Sequence, residues 1–190
     1  GCLIDSKVIG VQNSIDQFFY EDNGKKYMFW GSFRGIYATE LTDNGLEIKK
    51  KTDGTPVLKK RICGNRFEGT NIYKRGEYYY LFASIGTCCN GATSTYQTVV
   101  GRSKNVLGPY LDKTGRDMLY DYCEIIMSGN ETWAGPGHNS ILIQDDVGTD
   151  WIIYHGYKKK EAENGRYVLM DKLIWSNDGW PSVKSNAPSI

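Results

Sequence analysis

Three ionisable residues stand at comparable points of three similar stretches. Asp16 lies in SIDQFFYEDNGKKYMFWGSF (14–33), Glu68 in FEGTNIYKRGEYYYLFASIG (67–86) and His138 in HNSILIQDDVGTDWIIYHGY (138–157). Each stretch opens on the ionisable residue, runs through an apolar segment, turns at a glycine and returns through an aromatic segment. Asp16 to Gly24 and Glu68 to Gly76 both span 8 positions, and His138 to Gly148 spans 10. Two carboxylates brought to one pocket suit acid/base chemistry on a neutral polymer. A glutamate among aromatic side chains is discouraged from ionising, and a neighbouring carboxylate discourages it further. A glycosidase uses such an acid together with a second carboxylate that activates water or attacks carbon. Each residue also has a plainer reading taken alone: Asp16 as a turn cap, Glu68 as a surface loop residue, His138 as a core histidine bonded to backbone.

The elements that would position these residues are short strands. After each returning segment comes a third: GIYATEL (35–41), YQTVVGRS (96–103) and RYVLMDKLIW (166–175). LEIKK (46–50) and GPYLDK (108–113) supply a fourth in the first two units, and turn signals at 43–45, 105–109 and 176–181 separate them. Tyr78, Tyr80 and Phe82 share one strand face, while Tyr79, Leu81 and Ala83 share the other. Two apolar faces need cover on both sides, which a blade between neighbouring blades has; YMFWG and WIIYHG read the same way. A β-sandwich is the competing architecture, with more polar outer faces expected. The expectation is therefore an all-β chain supplying about three blades of a β-propeller, roughly 1–56, 57–131 and 132–190. Propellers close with about 4–8 blades, so the N-terminal blades are expected to lie outside this sequence or on a second chain. Inner-strand heads converge near the axis, which would bring positions 16, 68 and 138 to one pocket.

Composition narrows the partners. Lys and Arg total 23 against 22 Asp and Glu, a net charge of +1, so nothing favours a polyanion and no nucleic acid is expected. The basic runs 49–51, 59–61 and 158–160 read as solvated loops. No apolar run approaches the ~20 residues of a membrane span, and GCLIDSKVIG has neither a basic n-region nor an apolar h-region. The five cysteines, Cys2, Cys63, Cys88, Cys89 and Cys123, lack CxxC spacing, which argues against structural zinc. Cys88 and Cys89 are expected as loop thiols or as partners of distant cysteines rather than of each other. NET (130–132) is a glycosylation triplet of a common kind.

The blocks NSIDQFF, FWGSF, EGTNIYKRGEYYYLFAS, CCNGATSTYQTVVGRS, GPGHNS and DWIIYHGY with the following GR, DKLIW and DGWP resemble the arabinanases of glycoside hydrolase family 43. The likeness runs in order from about Asn13 to Val183. It implies a five-bladed propeller that hydrolyses α-1,5-linked arabinan with inversion. It implies Glu68 as general acid and Asp16 as the residue that tunes the acid and orients the sugar. It implies His138 as a contact, through water, of a hydrated ion, usually calcium, and Arg166 as a substrate contact. Asn13, Ser32, Phe33, Ser94 and Thr95 match blocks lining the sugar cleft. The family's general base is an aspartate upstream of the NSID block and has no counterpart here; Asp5, in LIDSKVIG, is not it. Gln17 and Thr70 stand where the family has proline. An exo-acting arabinofuranosidase or β-xylosidase of the same family, and a non-catalytic sugar-binding propeller, are the alternatives. A secreted or periplasmic location is the expectation.

Overall fold

The structure, a computed structural model, describes residues 1–189. It is all-β apart from a one-turn helix, α1 (Ser6–Ile9), and short 3-10 turns. Asp5 caps α1, accepting from the backbone N–H groups of Lys7 at 2.7 Å and Val8 at 3.1 Å. That satisfies donors the first helical turn leaves unpaired.

Strands β1 (Phe18–Asp22), β2 (Lys25–Trp30), β3 (Ile36–Glu40) and β4 (Lys60–Cys63) form an antiparallel sheet in chain order. Asn23 and Gly24, at φ 50° and 75°, turn β1 into β2. Two consecutive left-handed residues match the twist of a tight hairpin, which is why Asn-Gly sits there. Strands β5 (Glu68–Arg75), β6 (Tyr78–Ile85), β7 (Gln97–Ser103) and β8 (Glu124–Met127) form the second sheet, again in chain order. The third comprises β9 (Trp133–Gly137), β10 (Ile143–Gln144), β11 (Asp150–Lys158) and β12 (Arg166–Lys172). In it β9 and β10 pair with successive parts of β11, and β12 pairs along the length of β11. A two-stranded ribbon, β13 (Ile174–Trp175) with β14 (Pro181–Ser182), follows.

By contact density the chain divides into two compact units. One holds Gly1–Leu81 and Gly101–Cys123; the other holds Phe82–Val100 and the chain from Glu124 onward. In the first, Ile9, Val11, Met28, Trp30 and Leu41 make an apolar cluster. In the second, Tyr96, Val99, Met127, Ile152, Tyr154 and Trp180 are among the residues removed from water.

Several sequence expectations change. LEIKK and GPYLDK are not the outer strands: each makes only isolated bridges, Leu41 to Ile48, Lys50 to Pro56, Arg102 to Leu111. The outer positions are taken by β4 and β8, four-residue strands too short to carry a periodic signal. Both faces of β6 are buried, as its two apolar faces require. In β11, by contrast, buried and half-buried residues alternate. Its half-buried face, with Trp151 and Ile153, lies opposite Lys172 and Met170 of β12, and Val168 and Met170 there are exposed. Cys88 and Cys89 are disulfide-bonded to each other, contrary to expectation. They lie in a bend beyond the end of β6, where consecutive side chains need not alternate as they do in a strand. Cys2, Cys63 and Cys123 form no disulfide among the described residues.

Candidate active site

In the first unit the chain assembles a carboxylate pair. Glu68 is the first residue of β5 and is only 8% exposed. The loop after β2 delivers Ser32, 2% exposed, whose Oγ donates to Glu68 Oε2 at 2.8 Å. Asp16 lies just before β1 in left-handed backbone (φ 56°). Its Oδ2 accepts from the N–H of Gly69, the residue after Glu68, at 3.3 Å. The two acids are thus joined through one peptide unit.

The loops are fastened around this pair. Asn13 Nδ2 donates to the Ser32 carbonyl at 2.9 Å, and Gly31 N–H donates to Ile15 O at 2.8 Å. Phe33, half-buried and at φ 50°, donates its N–H to Phe67 O at 2.9 Å. A bulky residue held at positive φ is costly and marks a site where surrounding contacts over-determine the backbone. Asn13, Asp16, Ser32, Phe33 and Glu68 therefore form one constellation. Thr70, standing where the resemblance has proline, buries a hydroxyl that has no hydrogen-bond partner among the described residues.

The second unit gathers the other candidates. Ser94 is buried and its Oγ accepts from Asn90 N–H at 2.9 Å. Thr95 is exposed and exchanges hydrogen bonds with Thr87 at 2.9–3.3 Å. His138 does not head a strand as expected: it lies between β9 and β10, exposed, at φ 51°. Its N–H donates to Ser84 Oγ at 2.7 Å, and its Nδ1 is 3.5 Å from the Tyr96 hydroxyl. Left-handed backbone at this residue interrupts the edge strand that pairs with β11, and no sequence signal marks such a break.

Three residues absent from the sequence reading complete this group: Ser84, Tyr96 and His155. The His155 ring stacks on Tyr96 (5.8 Å between centroids, 17°) and on His138 (6.1 Å, 24°). Its Nε2 is 3.3 Å from Nη1 of the exposed Arg166. Burial first, then the charge of Arg166 and the nearby His138, push the His155 imidazole down to about 4. Gly137 makes room for this stack, since a Cβ there would come within 2.3 Å of Tyr96 Cδ1. The signal available in advance was slight: His155 is the chain's second histidine of two, and Tyr96 directly follows Ser94 and Thr95.

No group of three or more potential metal ligands exists among the described residues. His138 offers one exposed imidazole, whereas a protein-built calcium cage takes 6–8 oxygen ligands. The residues present do not build that cage.

The profile of the family described as Glycosyl hydrolases family 43 matches residues 3–181. The chain is 36% identical over 182 residues to the extracellular exo-alpha-(1->5)-L-arabinofuranosidase ArbA of Cellvibrio japonicus, covering 90% of this chain and 52% of that protein. It is 35% identical over 185 residues to the extracellular endo-alpha-(1->5)-L-arabinanase 1 of Bacillus subtilis, covering 96% of this chain and 54% of that one. Among solved structures, Cellvibrio cellulosa alpha-L-arabinanase complexed with arabinohexaose superposes with a TM-score of 0.74 at 34% identity, over 89% of this chain and 56% of that one. An exo-1,5-alpha-L-arabinanase from a bovine ruminal metagenomic library superposes with a TM-score of 0.78 at 35% identity, over 90% and 56%. The chain spans about half the length of the curated relatives it matches. With the profile running over nearly all of its residues, the chain belongs to glycosyl hydrolase family 43.

Proposed function

We propose that this chain contributes the acid half of an inverting glycoside hydrolase acting on α-1,5-linked L-arabinan. The observation that carries the reading is the joined pair: a buried Glu68 anchored by Ser32, with the Asp16 carboxylate on the adjoining peptide N–H. Glu68 protonates the departing glycosidic oxygen. Asp16, held beside it on the Gly69 N–H, tunes that acid and orients the sugar. Water is activated by an aspartate outside this sequence, across the about 6.5–9.5 Å that inverting enzymes keep between their carboxyl groups. Asn13 and Phe33 in the first unit, and Ser94, Thr95 and Arg166 in the second, are sugar contacts in this reading. The relatives named for arabinan-cleaving activity support the substrate class, and their description as extracellular supports a secreted location.

The architecture proposed is a five-bladed propeller to which these residues bring about three blades. The uncovered apolar face at Val168 and Met170 suits a further blade packing there, from the same protein or from another chain. A hydrated calcium ion that His138 contacts through water belongs to this proposal too. Metal analysis of the purified full-length protein, before and after chelation, tests it.

The experiment for the function is turnover of linear arabinan by the full-length protein and by Glu68→Gln. Gln keeps the shape and the acceptor for Ser32 but cannot donate a proton. Turnover is expected to fall by at least about 10²–10⁴-fold, the scale of a general acid, with the thermal midpoint unchanged. The product profile separates endo from exo action. Binding without hydrolysis by the unsubstituted protein would replace this reading with that of a sugar-binding propeller.

A further inference from the structure

Neither the composition nor the family resemblance gives His155 a task, yet it touches three residues around the second-unit site. It lies in the interior of β11, paired with Gly137 of β9 on one side and Val168 of β12 on the other. The ring is therefore carried by a strand hydrogen-bonded on both edges. A guanidinium has donors only and keeps its proton. At the Nη1–Nε2 separation of 3.3 Å, Arg166 must donate and Nε2 must accept. The ring proton then resides on Nδ1, which is buried and has no hydrogen-bond partner among the described residues. So the acceptor edge of His155 is committed to Arg166, and its flat face is committed to His138 and Tyr96.

We infer that His155 is a positioning residue of the arabinan site, a ring that holds the Arg166 fork through Nε2 and braces the His138 ring by stacking. The inference rests on the reading of Arg166 as a sugar contact. An exposed arginine samples many rotamers, and one fixed acceptor on a strand selects among them before substrate arrives. His155 itself need not touch the sugar.

Two substitutions in the full-length protein separate the two contacts. His155→Phe keeps a ring for stacking and removes the acceptor; His155→Gln keeps an acceptor near the Nε2 position and removes the ring. With linear arabino-oligosaccharides, His155→Phe is expected to raise KM about tenfold, the scale of one charge-assisted hydrogen bond, with kcat within about twofold. His155→Gln is expected to restore most of that KM. An unchanged KM in His155→Phe overturns the inference. So does an equal loss in both variants that tracks a lowered thermal midpoint, because that is a packing role alone. Ring ¹⁵N shifts at neutral pH supply a readout independent of activity: protonated Nδ1 and bare Nε2 are expected, and the opposite tautomer or a charged ring overturns the geometry. Wild-type protein that neither binds nor cleaves arabinan sinks the functional reading itself, and the tautomer still decides whether His155 holds Arg166.

Discussion

Ser32 Oγ donates to Glu68 Oε2 across 2.8 Å, and both residues are almost fully removed from water. A donor on one carboxyl oxygen commits that oxygen as an acceptor and fixes the plane of the carboxyl group. Ser32→Ala removes this restraint from the buried carboxyl. Its kcat on arabinan is expected to fall about tenfold with KM little changed, the pattern of an interaction that matters in the transition state. Steady-state kinetics on oligosaccharides of fixed length checks this. An unchanged kcat would mean that Glu68 is held by its other contacts.

Asp16 offers a cleaner substitution than most acids because of its backbone. At φ 56° it sits where aspartate and asparagine are tolerated and most side chains are strained. Asp16→Asn keeps the left-handed residue and an acceptor for Gly69 N–H while deleting the charge. The expected result is a loss of about 10²-fold in kcat with the thermal midpoint held. Asp16→Ala should lose activity and stability together. A fully active Asp16→Asn would show that the charge is dispensable and that Asp16 serves only as a turn residue.

The hairpins were legible in the sequence because two local rules agree there. Aromatic runs mark β2 and β6, and Asn23-Gly24 can adopt the two left-handed conformations a tight turn demands. The outer strands were not legible. The four residues of β4 and of β8 have no period to read, and the loops that look strand-like before them spend their pairing on isolated bridges. For the site, Asp16 and Glu68 were legible by type and position, since carboxylates beside aromatic strands stand out. Tyr96 and His155 were not. They act through ring stacking, and a stacked ring has the same sequence signature as any core aromatic. His138 lies in left-handed backbone between β9 and β10, and nothing local announces that break.

Thr70 is a test of unsatisfied polarity. Its hydroxyl is buried on β5 with no hydrogen-bond partner among the described residues, a state that costs about 1–3 kcal/mol relative to a solvated hydroxyl. Thr70→Val keeps the branched shape that suits a strand and removes the stranded group. Stability is expected to rise by about 1 kcal/mol, read as a higher urea midpoint at constant slope, with kcat unchanged. A lower midpoint would mean that the hydroxyl finds a partner in solution.

The acid limb of stability should carry a contribution from Asp112, which lies outside the site. Its Oδ1 accepts from Thr114 N–H at 2.8 Å, Thr114 Oγ1 at 2.8 Å and Arg116 N–H at 2.9 Å, and its Oδ2 accepts from Arg116 Nε at 2.8 Å. Burial alone would raise its pKa, but the hydrogen bonds from Arg116 and Thr114 outweigh burial and hold the carboxyl below its ordinary value. A folded pKa below the unfolded value of ~3.9 means that the unfolded chain binds the proton first as pH falls. The stabilisation is therefore complete above about pH 5 and is lost as pH drops through ~4 toward the lower folded value. Asp112→Asn cannot accept from Arg116 and Thr114 at once without turning an N–H₂ toward a donor. It is expected to cost about 2–3 kcal/mol at pH 7, the scale of hydrogen bonds to a charged group. The gap to wild type should narrow as pH falls below ~4, where wild type loses the same carboxylate by protonation. Urea unfolding of both proteins from pH 7 to pH 3 measures the gap, and parallel curves across that range would count against this assignment.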